Sequence, residues 1–233
     1  MRIYFLGIGG TAMGNAAILL KKLGHDVFGS DGKIYSPMSD ILENTDLEIY
    51  QGFDVTRLQR LKPELVVVGN AISRGNDELE WLLDTRAYPM ISLPQLLNDF
   101  LLKEKDTVII TGTHGKTTTA TIAAYLLEAN AVDPSWFIGG VPKSLANGAH
   151  LGEGNNFVIE GDEYDSAFFD KRSKFIHYNP YIVSINNLEM DHADIFRDLA
   201  DIQRSFSHLI RLIPQRGYLI VNGDDANVLQ LLD

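Results

Sequence analysis

The chain has 233 residues, 45% hydrophobic and 22% charged, which is enough apolar material for one large domain or two modest ones. A formal net charge of −11 argues against a nucleic-acid partner, because affinity for that backbone comes from Lys and Arg neutralising phosphates. With no cysteine, the chain has no route to disulfides, thiol catalysis or Cys-ligated zinc, and no apolar run reaches bilayer-spanning length.

The N-terminus enters a strand at Ile3-Tyr4-Phe5-Leu6 without a basic leader or a small-residue cleavage site. A cytoplasmic protein that does not engage membranes is therefore expected. Gly7-Ile8-Gly9-Gly10-Thr11-Ala12-Met13-Gly14 follows at once, then a helix with Met13, Ala16, Ala17, Leu20 and Leu23 on one face, stopped by Gly24. Asp26 to Gly29 reads as the next strand and ends at Ser30-Asp31. A glycine turn over a helix N-terminus, with an acid about 20 residues on, is a Rossmann-like βαβ opening. Ala12 stands where G-x-G-x-x-G has its third glycine, so the turn suits NAD(P) or another nucleotide diphosphate.

The alternation continues. Helices are expected around Leu42, over Val55 to Leu61, Glu78 to Leu83, and Leu93 to Leu102 with Pro94 near its start. Strands are expected at Glu48 to Tyr50, Leu65 to Val68 and Met90 to Ser92. Gly69-Asn70-Ala71-Ile72 follows a buried strand, where open parallel sheets place ligand-binding loops. Lys103-Glu104-Lys105-Asp106 is charged and poor in apolar residues, so the boundary is drawn there, with domains at 1–104 and 105–233.

Val108-Ile109-Ile110-Thr111 is a short β-branched run that reads as a buried parallel strand. A helix is expected from Ala120, with Ile122, Ala123, Leu126 and Leu127 on its buried face. Between them lie Gly112-Thr113-His114-Gly115-Lys116-Thr117-Thr118. The general phosphate loop is G-x-x-x-x-G-K-[ST], but Ile110 stands at its first glycine, so this loop opens later, as G-x-x-G-K-T. Unpaired amides at a helix start attract phosphates, Lys116 can reach the β- and γ-phosphates, and Thr117 can ligate Mg²⁺. This is read as an ATP site.

Three further strands are expected, at Phe137-Ile138 with a Gly139-Gly140 exit, Asn156 to Ile159, and Tyr181 to Ile185. The second of them runs into Glu160-Gly161-Asp162-Glu163-Tyr164-Asp165, a carboxylate cluster at a strand end that suits a hard cation such as Mg²⁺. Asn186 to Asp194 follows the third and contains His192, which lacks the nearby nitrogen or sulfur ligands zinc would need. A helix over Ile202 to Leu212, a strand at Tyr218 to Val221 and the start of one more helix complete the chain. The second sheet is read as cut short. The fold class is thus α/β: a Rossmann-like parallel sheet, then a phosphate-loop α/β domain that lacks its remainder.

Two nucleotide sites on consecutive α/β units, the second opening with Gly112-Thr113-His114-Gly115-Lys116-Thr117-Thr118, resemble the Mur ligases of bacterial cell-wall synthesis. Asn186 to Asp194 is similar to that family's Asn-x-x-x-x-Asp-His-x-Asp stretch, and Glu160 to Glu163 to its Glu-Ala-Asp-Glu, with Gly161 in place of alanine. That glycine is expected to loosen the loop slightly. The Gly7 to Gly14 turn and Gly29-Ser30-Asp31 fit the members that bind UDP-N-acetylmuramate. Tyr35 to Ser39, Gly69 to Asn76 and Tyr164 to Phe175 resemble the salvage branch rather than the alanine-adding one.

The resemblance implies an ATP- and Mg²⁺-dependent ligase joining UDP-N-acetylmuramate to the recycled murein tripeptide L-Ala-γ-D-Glu-meso-diaminopimelate through an acyl phosphate. It implies that Lys116 stabilises the transferring phosphoryl group, that Thr117 holds one Mg²⁺, and that Glu160 and His192 hold a second. Gly7, Ile8, Gly9, Gly10 and Thr11 would cradle the UDP diphosphate, with Ser30, Asp31 and Asn70 near the sugar or uracil. The alternatives are a UDP-N-acetylmuramate–L-alanine ligase and a fragment that binds nucleotides without chemistry. No oligomeric state is implied.

Overall fold

The structure is a computed structural model that describes residues 1–140, 142, 144–145, 147–191 and 195–232. It divides into two compact units, Met1–Leu96 with Ser166–Lys171, and Leu97–Asp165 with Arg172–Asp233.

In the first unit strands and helices alternate: β1 (Arg2–Leu6), α1 (Thr11–Lys22), β2 (Asp26–Asp31), α2 (Met38–Glu43), β3 (Glu48–Gln51), α3 (Val55–Leu61), β4 (Leu65–Val68), α4 (Asp77–Thr85), β5 (Met90–Ser92) and α5 (Leu93–Leu97). All five strands run parallel, in the order β3-β2-β1-β4-β5. The direction of winding reverses between β1 and β4, so a crevice opens at their C-terminal ends, where Gly7 and Gly69 lie.

Side chains alternate across the sheet with a period of two. Tyr4, Leu6, Phe28, Val66 and Val68 therefore share one face, packed with Leu58 of α3 and Leu79 and Leu82 of α4. A polar knot crosses that face. Glu78, fully buried in α4, accepts hydrogen bonds from Tyr4 Oη at 2.9 and 3.0 Å, Ser30 Oγ at 2.6 Å and the Asp54 amide at 2.8 Å, with Arg57 Nη1 at 3.4 Å. Burial pushes the Tyr4 hydroxyl well above its ordinary pKa, so it stays a donor.

The expected helix over Leu93 to Leu102 is α-helical only as far as Leu97; Asn98–Leu102 is a π-helical turn. Beyond it come β6 (Asp106–Thr111), α6 (Lys116–Ala129), β7 (Ser135–Phe137), β8 (Ala149–His150), β9 (Asn156–Gly161), β10 (Asp165–Ala167), β11 (Asp170–Ser173), β12 (Pro180–Ile185), α7 (Leu199–Ile210), β13 (Tyr218–Val221) and α8 (Ala226–Leu229). The second sheet has the order β13-β12-β6-β9-β7-β8 and is parallel except where β8 returns beside β7. Strands β10 and β11 form a separate two-stranded ribbon. Its residues Ser166–Lys171 belong to the first unit, where Phe168 packs on the Tyr4 and Leu58 cluster.

Helix α6 departs from expectation in its start and its face. It begins at Lys116, which puts the lysine and Thr117 in its first turn. Ala120 and Ala124 are fully buried, whereas Ile122 and Leu126, expected inside, are each 53% exposed. Of the expected stripe, only Ala123 and Leu127 touch the core. The face on the core is instead the one carrying Ala120 and Ala124, whose small side chains let the helix lie close on it. Among the described residues no helix is long and apolar enough to cross a membrane.

Candidate functional site

In the first unit the glycine turn is braced by the end of β2. The amides of Gly7 and Ile8 both donate to the Ser30 carbonyl, at 2.8 and 3.1 Å, and the Gly9 amide donates to Asp31 Oδ2 at 2.7 Å. Asp31 Oδ1 accepts from the Gly32 amide at 2.7 Å, so both carboxylate oxygens hold the loops together. Ser30 and Ile8 point their side chains into the core, and the Ser30 hydroxyl belongs to the Glu78 knot. Ser30 can therefore serve a ligand only by shaping the turn.

Gly7 has φ +92°, a backbone open to glycine, and a Cβ there would strike Ile72 at 3.0 Å. The β1 and β4 exit loops are thus in contact, with exposed Asn70 beside them. Gly10 caps α1 without a side chain, leaving the first-turn amides at Thr11 and beyond for an anion. A cavity of about 490 Å³ opens beyond Asp31, lined by Lys33, Ile34, Ser39, Leu42, Thr45 and Gln51 among others.

In the second unit three adjacent strands end at one edge. The register sets Ile110 beside Glu160 and Thr111 beside both Gly161 and Ile185. The phosphate loop leaves β6 there, between the β9 and β12 exits. Gly112 has φ +128° and Gly115, at the α6 N-cap, φ +79°; neither end of the loop would accept a side chain without strain. No side chain caps α6, so its first amides are available to phosphate. Lys116 Nζ folds back on the loop, donating to the carbonyls of Gly112 at 2.8 Å and Thr113 at 3.2 Å and to Glu163 Oε1 at 3.0 Å. His114 and Thr118 are exposed.

Glu160 lies across the edge from Thr117. Its Oε2 accepts from the Gly139 amide at 2.7 Å, while Oε1 is buried without a hydrogen-bond partner. Burial pushes this carboxyl above the ordinary carboxylate range; the Thr117 hydroxyl, the Gly139 amide and the Lys116 charge pull it the other way. An orphaned carboxylate oxygen beside a threonine hydroxyl fits Mg²⁺, a hard cation that keeps several waters and takes few protein ligands. Among the described residues no larger group of His, Asp or Glu side chains is arranged for a metal. His192, the other metal and catalytic residue expected from the resemblance, lies outside the described residues.

Behind the carboxylates, Asp162 pairs with Lys174, and Tyr178 is buried, its hydroxyl raised above its usual pKa by desolvation and by the charges of Asp162 and Glu160. The sequence placed Glu163 in the carboxylate cluster, Gly139 at a strand exit and Asn187 in the family-like stretch, but not their partners: Glu163 holds Lys116, the Gly139 amide holds Glu160, and Asn187 holds His114. Nothing local in the sequence signals these pairings.

Two glycine turns, each over an uncapped helix N-terminus at the C-terminal edge of an α/β sheet, define an α/β protein with two loops of the kind suited to phosphate groups. The model of the Mur ligase middle domain matches residues 110–233, and that of the Mur ligase family catalytic domain matches residues 2–105. The chain belongs to the Mur ligase family.

The chain is 50% identical over 232 residues to the UDP-N-acetylmuramate–L-alanyl-γ-D-glutamyl-meso-2,6-diaminoheptandioate ligase of Escherichia coli, covering 100% of this chain and 50% of that protein. A UDP-N-acetylmuramate–L-alanine ligase of Dictyoglomus turgidum is 35% identical, over 99% of this chain and 47% of its own length. Among solved structures, the UDP-N-acetylmuramate:L-alanyl-γ-D-glutamyl-meso-diaminopimelate ligase of Neisseria meningitides superposes with a TM-score of 0.94 at 43% identity, over 100% of this chain and 75% of that one. The chain thus spans about half the length of the curated relatives it matches.

Proposed function

We propose that this chain serves an ATP-dependent amide-bond ligase that joins UDP-N-acetylmuramate to the tripeptide L-Ala-γ-D-Glu-meso-diaminopimelate in peptidoglycan recycling. In this reading residues 1–104 hold the UDP-sugar and residues 105–233 form the first part of the ATP-binding domain. The observation that carries it is the convergence of Lys116, Thr117 and the unpartnered Glu160 Oε1 in front of the uncapped α6 N-terminus. The choice of sugar and tripeptide rests on the 50% identity to the Escherichia coli relative. The alanine-adding relative, at 35%, supports L-alanine as the alternative acceptor.

ATP with Mg²⁺ would supply the phosphoryl group that activates the lactoyl carboxylate as an acyl phosphate, with ADP as leaving group; attack of the peptide amine on the acyl carbon would then form the amide and release inorganic phosphate and a proton. The chain's own work is positioning and charge neutralisation. Lys116 exchanges Glu163 for phosphate oxygens, and the amides at the start of α6 hold the remainder of the polyphosphate. Thr117 would hold one Mg²⁺, and Glu160, with His192 on the family resemblance, would hold a second. Gly9, Gly10 and Thr11 cradle the UDP diphosphate on a turn shaped by Gly7, Ile8, Ser30 and Asp31, with Asn70 near the sugar or uracil. A cytoplasmic location, with no nucleic-acid or membrane partner, belongs to the same proposal.

Calorimetry tests the first unit: UDP-N-acetylmuramate binds and NADH does not, and tight NADH binding would favour an oxidoreductase instead. For the reaction, Lys116→Ala in a protein of the relatives' full length abolishes tripeptide-dependent phosphate release. Undiminished release would remove the phosphate loop from the mechanism, and release with L-alanine but not tripeptide would select the alternative.

A further inference from the structure

The phosphate loop takes its shape from a segment of the chain more than 70 residues away, the β12 exit at Asn186 to Glu189. Asn187 brackets the peptide groups of His114: Oδ1 accepts from the His114 amide at 2.8 Å, and Nδ2 donates to the His114 carbonyl at 3.1 Å. The Asn187 carbonyl accepts from the Thr113 amide at 3.1 Å, and a Cβ on Gly112 would strike that carbonyl oxygen at 2.9 Å. The Glu189 amide donates to Thr113 Oγ1 at 2.9 Å. Gly112, Thr113 and His114 are all placed by this one segment.

The segment itself is anchored from behind. Leu188 is fully buried, its amide donates to Asp225 Oδ2 at 2.9 Å, and its carbonyl accepts from Asn227 Nδ2 at 2.8 Å. Asp225 Oδ1 in turn caps α8 through the amides of Asn227 and Val228, at 2.9 and 3.1 Å.

A trans peptide points its carbonyl and its amide in opposite directions. Holding the His114 carbonyl toward Asn187 therefore turns the Gly115 amide away from β12, to the side on which a phosphate can meet it. We infer that Asn187 is a positioning residue for the phosphate loop, fixing the peptide planes on either side of His114 so that the loop is ready for the polyphosphate before it arrives. This rests on the reading of the loop as an ATP site.

The test uses the 233-residue chain with Mg-ATP as the calorimetric ligand, and amide hydrogen exchange in the nucleotide-free protein. In Asn187→Ala the His114 amide exchanges about tenfold faster or more, the β6 amides exchange as in the parent, and Mg-ATP binds about tenfold more weakly. Asn187→Asp matches the size and keeps the acceptor for the His114 amide but has no donor for its carbonyl. It retains His114 protection and still binds Mg-ATP about tenfold more weakly, in high salt as in low. If Asn187→Ala does not fold, the isosteric Asp variant alone decides. Variants that bind Mg-ATP within twofold of a binding-competent parent overturn the role of Asn187 alone; a parent that does not bind Mg-ATP overturns the ATP reading and this inference together.

Discussion

Lys116 Nζ stands 3.0 Å from Glu163 Oε1, and the Glu163 side chain is almost wholly buried. The lysine that would meet the phosphates is thus already charge-paired and bonded to two carbonyls of its own loop. All three donors of the ammonium are taken, so a phosphate oxygen reaching it would have to replace one of these acceptors, and Glu163, the charged one, would compete with it.

Glu163→Gln weakens that competitor while keeping its size. A charge-assisted hydrogen bond is worth about 1.5–3 kcal/mol and its neutral counterpart about 1 kcal/mol, so Mg-ATP is expected to bind roughly fivefold more tightly. In the free protein Lys116 is expected to react faster with an amine-acylating reagent. Equal acylation rates in parent and variant would show that the contact does not shield the lysine.

The Glu78 knot fastens four elements of the first unit and, through Ser30, stands directly beneath the glycine turn. Glu78→Ala leaves Arg57 and the hydroxyls of Tyr4 and Ser30 without their shared acceptor. The expected cost is about 3–5 kcal/mol, the range for removing one partner of a buried pair. Urea unfolding checks it, and a loss below about 1 kcal/mol would show that water replaces the carboxylate there.

Strands made of continuous apolar or β-branched runs were legible from sequence: Leu65–Val68, buried on both faces, Met90–Ser92 and the more exposed Tyr218–Val221 stand at their expected bounds. The α6 face was not, since Ile122 and Leu126 have helical spacing yet stand exposed, while Ala120 and Ala124, which give a weaker apolar signal, take the buried face. Strands β8, β10 and β11, of two to four residues, carry no periodic signal. The inward direction of Ser30 was available in principle, because it has the parity of Phe28 on β2, which faces the core. The grip of Asn187 on His114 was not, because it depends on the register of β12 beside β6 and on nothing local.

The loop after β4 is closed by a paired fork: Arg74 Nε and Nη2 each lie 2.8 Å from one oxygen of Glu80, and the Gly75 amide adds a bond at 2.7 Å. The Arg74 hydrogen bonds hold the Glu80 carboxyl well below its usual value of 4.5, at about 2, with the Gly75 amide second. Since the folded pKa lies below the unfolded one, the contribution to stability is complete above about 4.5 and disappears as pH falls toward 2. The pair is exposed, so the effect on global stability is small. An NMR titration of the Glu80 carboxyl is expected to have its midpoint near 2, moving back toward 4.5 in Arg74→Met. A parent midpoint above 4 would mean that the fork is open in solution.

Gly161 occupies the position where the family resemblance has alanine, and it was expected only to loosen the loop. The structure gives it a stricter role. It ends β9 beside Thr111, and a Cβ there would sit 2.7 Å from Ile109 Cγ2 and 2.8 Å from Thr111 Cβ. Both atoms are β-branch positions close to the backbone, so neither can swing aside. Replacing a strand glycine by alanine ordinarily adds about 0.4–1 kcal/mol by restricting the unfolded chain, but overpacking a filled site costs about 1–3 kcal/mol. Gly161→Ala is therefore expected to destabilise by about 1–2 kcal/mol in urea unfolding. Because Glu160 precedes it on the same strand, Mg-ATP binding is expected to weaken as well. Combining it with Ile109→Ala relieves one of the two contacts, so the double variant loses less stability than the sum of the single ones. Strict additivity, or a Gly161→Ala protein more stable than its parent, would show that the two strands have room for a methyl group.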